Sequence, residues 1–130
     1  MNEVIHQTQP SEKTCVQTCL AMALGVPVHQ VVARYGENGM NQTDLFRALD
    51  ECGFRWNLMT FATMVFTGWY FAVVPSLNHR GVLHQVLVHR DEEGGITVLD
   101  PAVNNRYARD GSDLRGWTEV MPFIPCGKLP

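Results

Sequence analysis

The stretch HQVLVHRDEEGGITVLDP, His84 to Pro101, decides how this chain is built. HQVLVH and ITVLDP are apolar and rich in β-branched residues, and the DEEGG between them carries the aspartate and glycines of a tight reversal. The stretch predicts two strands, Val82 to His89 and Ile96 to Leu99, closed into an antiparallel hairpin over Asp91 to Gly95. Side chains alternate along a strand, so His84 shares a sheet face with Val86 and Val88. Asp100, at the far end of the second strand, takes the face of Ile96 and Val98. In a hairpin the start of one strand lies beside the end of the other. His84 and Asp100 are therefore expected as neighbours at one edge of a sheet.

Working outward, Arg55 to Phe61, Trp69 to Val74 and Trp117 to Ile124 read as further strands, with a turn over Ser76 to Gly81. Trp69, Tyr70, Phe71 and Trp117 are expected mainly in the core. Before Gly53 the texture is helical. Thr14 and Gln17 have the spacing of a capping box ahead of the helix formers Leu20 to Leu24, and Gly25 ends that helix. Pro27 suits the first turn of a second helix through Val31, Val32 and Tyr35, broken by Gly36 and Gly39. Asn41 caps a third, whose Leu45, Ala48, Leu49 and Cys52 fall at helical spacing and which Gly53 stops. Helices first and strands afterwards predict an α+β domain, helices packed on a mostly antiparallel sheet, as one unit over residues 1–130.

The 130 residues are 45% hydrophobic and 18% charged, the balance of a globular chain that buries roughly two-thirds of its unfolded surface. A net charge of −3 argues against a nucleic-acid partner. Arg106, Arg109 and Arg115 are interleaved with Asp110 and Asp113, a solvated mixed-charge loop. MNEVIHQTQP lacks the basic patch and apolar core of a signal peptide, and Thr63, Thr67, Gly68 and Pro75 break the longest apolar run, Phe61 to Leu77. No membrane span is expected, and the expected compartment is a reducing cytoplasm. Cysteines 15, 19, 52 and 126 need not pair there, and without a C-x-x-C none is expected to hold zinc.

Chemistry gathers on QTQPSEKTCVQTCLAMALG, Gln7 to Gly25. Cys15 stands at the start of the first helix, where free N–H groups and the dipole favour a thiolate, with Lys13 nearby. A cysteine nucleophile needs a base and a group to hold that base, which His84 and Asp100 supply. Gln9 can donate to a developing oxyanion together with the Cys15 N–H; Gln7 is its rival, less well spaced. Among the other histidines, His79 falls in a turn, His89 points to the opposite sheet face, and His6 and His29 read as surface residues. Cys19, Cys52 and Cys126 read as small packing residues.

QPSEKTCVQTCLAMALG resembles the opening motif of bacteriocin-processing cysteine peptidases, papain-like domains that remove leader peptides after paired glycines. The matching positions are Gln9, Cys15, Cys19 and Leu20 to Met22, and the likeness continues through Gly39–Gly53, HQVLV at His84, LDPA at Leu99 and WTEVMPF near the end. The resemblance implies a papain-like fold and a peptidase acting on a peptide or protein substrate without a cofactor. It implies Cys15 as nucleophile, His84 as general base and acid, Asp100 as orienter and Gln9 in the oxyanion hole. Val16 stands where that family usually has glycine, and a free-standing domain is expected rather than the front of an exporter. The same four residues also suit a deamidase or acyltransferase, since any nucleophile that reaches a thioester resolves it. A peptide-binding module without catalysis is the third expectation, kept open by Val16.

Overall fold

The computed structural model describes residues 1–58, 66–75, 83–102 and 119–130. Helices α1 (Cys15–Leu24), α2 (Val28–Tyr35) and α3 (Gln42–Glu51) come first. Strands β1 (Arg55–Trp56), β2 (Gly68–Pro75), β3 (Leu83–Arg90), β4 (Ile96–Leu99) and β5 (Glu119–Ile124) follow. The strands form one sheet in the order β1-β5-β2-β3-β4, every pairing antiparallel. The class is α+β.

Local chemistry accounts for most of the boundaries. The Asn41 side chain accepts from the Asp44 N–H at 2.8 Å, and the Asp44 carboxylate accepts from the Asn41 N–H at 3.0 Å, so α3 opens with a capping box. Gly25 ends α1 at φ 68, and a Cβ there would meet the Glu3 carbonyl oxygen at 3.1 Å. The hairpin forms as expected. Asp91 N–H donates to Gly95 O, the Asp91 carboxylate accepts from the N–H groups of Glu93 and Gly95, and Gly94 takes a positive φ of 82.

The expected capping box on α1 does not form. Thr14 caps the helix by position, but its hydroxyl donates to the Ser11 carbonyl, and the Gln17 amide donates to the Gly36 and Asn38 carbonyls. Gln17 is fully buried, and serving the loop after α2 takes its amide away from the helix start. The first strand is also shorter than expected, Arg55–Trp56, with Asn57 and Leu58 outside it. The turn expected over Ser76–Gly81, His79, Trp117 and the arginines at 106, 109 and 115 lie outside the described residues.

The helices cover one face of the sheet. Leu20, Met22, Val31, Leu45 and Leu49 are fully buried there against Phe71, Leu87, Met121 and Phe123. Tyr70, Ala72, Val74, Val86, Val88 and Val120 are buried on the opposite face. Trp69 is only half-buried. Among the described residues no helix is long and apolar enough to cross a membrane. The β3–β4 ladder stops at Leu87–Leu99, and α1 packs on β3, so among the described residues the corner of the sheet beyond that pair is left to the start of α1.

Candidate active site

Cys15 is the first residue of α1 and half-buried. Its sulfur lies against the His84 side chain and the backbone N–H groups of Gln85 and Val16, all of which favour its thiolate. His84, 9% exposed, lies at that corner of the sheet near the start of β3. Its Nε2–H donates to Asp100 Oδ1 at 2.6 Å, which leaves Nδ1 as the ring nitrogen for the sulfur. Register explains the pairing: continued past Leu87–Leu99, it sets Asp100 opposite Val86, one diagonal step from His84 on the same face.

Asp100 is itself held in place. It is 5% exposed, and its Oδ1 also accepts the Ala102 N–H at 2.7 Å. Its backbone carbonyl accepts from His6 Nε2 at 2.6 Å, and the next carbonyl, of Pro101, accepts the Gln9 N–H at 2.7 Å. The N-terminal arm thus straps the corner that carries the carboxylate. His6, expected as a surface residue, is exposed yet takes part in this strap.

Burial works against charge on both Cys15 and His84, and their partners outweigh it. Burial favours the neutral thiol of Cys15, but the His84 hydrogen bond, the Gln85 N–H, the charge of His84 and the Val16 N–H together carry its pKa below the ordinary value. Burial would lower His84, but hydrogen bonds to Asp100 and Cys15 and the charges of both raise it to about 9. Both directions favour a thiolate–imidazolium pair over the neutral one. Lys13 is exposed and not among the groups that act on the sulfur. The Val16 side chain, 5% exposed, joins the core under α1.

Gln9 stands beside this group by its backbone bond to Pro101, while its Nε2 donates one proton to the Ser11 carbonyl at 2.8 Å. Its Oε1 is buried with no partner among the described residues. Gln7 is occupied elsewhere, donating to Val26 O and accepting from the Val28 N–H between α1 and α2. His89 lies against the Trp69 ring, centroids 4.7 Å apart. All four cysteines are free: Cys19 and Cys52 are buried, and Cys126 is exposed rather than packed. Among the described residues no group of three or more His, Cys, Asp or Glu side chains is arranged to hold a metal ion.

Sequence reasoning missed Gln85. Its part at the sulfur is played by a backbone N–H, which leaves no mark in residue type. The one signal was a polar side chain inside the apolar run HQVLV. Comparison with known protein families and with curated proteins finds no match in either.

Proposed function

We propose that this chain is a papain-like cysteine peptidase, hydrolysing a peptide amide bond through a thioester on Cys15. The observation that carries the proposal is one connected unit: helix-start sulfur, imidazole, and a carboxylate 2.6 Å from that imidazole. The Cys15 thiolate attacks the carbonyl carbon, and the carbonyl π electrons move onto oxygen. The Cys15 N–H and the unused amide proton of Gln9 are the donors for that oxyanion. As the intermediate collapses, protonated His84 gives its Nδ1 proton to the leaving amine and the C–N bond breaks. Neutral His84 then takes a proton from water, which attacks the thioester and releases the acid and the Cys15 thiolate. Asp100 keeps the ring oriented through Nε2 and stabilises its charged form. A reducing cytoplasm suits a site that works only with a free thiol.

The experiment is digestion of a complex peptide mixture with the protein and with Cys15→Ala, read by mass spectrometry for new termini, beside iodoacetamide labelling of the intact protein. New termini with the unsubstituted protein alone, and Cys15 labelled ahead of the other three thiols near neutral pH, are expected. Equal, slow labelling of all four cysteines and no cleavage would overturn the proposal. Intact peptides with glutamine converted to glutamate would move it to the deamidase that the same site allows.

A further inference from the structure

Gln85 is bound through its side-chain amide and its backbone carbonyl. Its Nε2 donates to Ala72 O at 3.0 Å, and its Oε1 accepts from Gln42 Nε2 at 3.1 Å. The backbone N–H faces the Cys15 sulfur and favours its thiolate, and the backbone carbonyl accepts the Cys19 S–H at 3.4 Å. Gln85 is 3% exposed, and it lies two residues beyond the last β3–β4 pair. Among the described residues β3 has no laddered neighbour on that side. Two sulfurs one helical turn apart stand there instead, one facing the Gln85 N–H and one donating to the Gln85 carbonyl.

We propose that Cys19 is a positioning residue, whose S–H bond to the Gln85 carbonyl sets the register of α1 on β3 and thereby the separation of the Cys15 sulfur from the His84 ring. This rests on the thiolate–imidazolium reading of the site. Cys19 is suited to the task because it stays a thiol. Burial, then the charges of Cys15 and Asp100, push its pKa well above the ordinary value, so it keeps its proton wherever the site is charged. Cys19 is fully buried, and a residue there for packing alone would need no acceptor. A neighbour that fixes Gln85 fixes His84 as well, since the two are consecutive on one strand.

The test is the rate of Cys15 alkylation by iodoacetamide against pH in the unsubstituted protein, Cys19→Ala and Cys19→Ser. Alanine and serine differ by the hydroxyl, which restores a donor but little volume. Cys19→Ala is expected to slow labelling at neutral pH roughly three- to tenfold, the worth of one net hydrogen bond, and to move the acid limb of the profile upward. Cys19→Ser is expected to recover most of the rate and the position of that limb. A Cys19→Ala profile equal to that of the unsubstituted protein, or a Cys19→Ser as slow as Cys19→Ala, would overturn the proposal. Should Cys19→Ala not fold, the S–H stretching band of Cys52→Ser protein with its accessible thiols alkylated decides. A band below the free-thiol frequency supports the bond, and a band at that frequency overturns it. Slow labelling of Cys15 in the unsubstituted protein would instead bring down the thiolate reading itself; fast labelling that ignores residue 19 brings down only its role.

Discussion

Cys15 and Cys52 make an instructive pair. Both are free thiols beside a side chain that carries a ring and a proton, and in both burial works against the thiolate. Cys15 opens α1, where backbone N–H groups face the sulfur and His84 adds a positive charge. Cys52 closes α3 at the carbonyl end of the helix, with the Tyr35 hydroxyl at 3.7 Å and the Glu51 carboxylate nearby. There burial, and then the Glu51 charge, push the thiol up, and the Tyr35 hydrogen bond and Arg34 do not compensate. Burial therefore does not by itself set the direction in which a thiol's pKa moves. The helix end and the sign of the neighbouring charge do.

The strongest way to break this contrast is to remove its chemistry. Cys15→Ala and His84→Ala are each expected to cost at least about a thousandfold in kcat/KM for peptide cleavage, while Cys52→Ser stays near the unsubstituted rate. Steady-state assays on whichever peptide the digestion identifies would measure this. Asp100→Asn comes next, at roughly a hundredfold or more, because the ring loses its orienting carboxylate and the charge that favours imidazolium. The effect should fall on kcat more than on KM.

The pH profile sharpens the comparison further. The working form needs a Cys15 thiolate and a protonated His84. Its acid limb is expected below the range where ordinary thiols titrate, and its alkaline limb near the about 9 of His84. Both limbs belong to the coupled pair. Labelling of Cys52 should show one rise only, above the ordinary thiol range. The raised pKa also makes protonated His84 stabilising: that contribution is whole below the free imidazole's 6.5 and is lost as pH climbs through about 9.

A structural lesion at the Cys52 end should separate stability from reactivity. Gly127 is buried, and a Cβ there would lie 2.5 Å from Phe54 Cε2, a ring packed edge-on against Phe71 and Phe123. The next residue, Lys128, donates its N–H to the Cys52 carbonyl. Gly127→Ala is expected to destabilise the fold by about 1–3 kcal/mol in a denaturant titration while leaving the Cys15 labelling profile in place. Smallest of all, Tyr35→Phe should lower the labelling rate of Cys52 slightly, since the hydroxyl favours its thiolate, and leave Cys15 untouched.

The contrast also explains what a reader of the sequence sees and misses. The hairpin over Asp91–Gly95, the Asn41 cap and the Gly25 stop are local chemistry, and each formed as the residues suggest. The His84–Asp100 contact followed from strand parity once the hairpin was granted. Thr14 and Gln17 misled, because a buried glutamine answers to carbonyls about twenty residues away rather than to its own helix. The place of β5 between β1 and β2, the His6 strap and the grip on Gln85 are long-range outcomes that no local pattern announces.

Everything turns on whether His84 carries its second proton at neutral pH. A titration of its ring nitrogens by 15N NMR, on the unsubstituted protein and on Cys15→Ala, measures that directly. The expected result is an imidazolium at neutral pH that titrates near 9, and a lower midpoint once the sulfur is gone. A ring already neutral at pH 7, or a midpoint indifferent to the loss of Cys15, would contradict the ion pair and the hydrolase built on it.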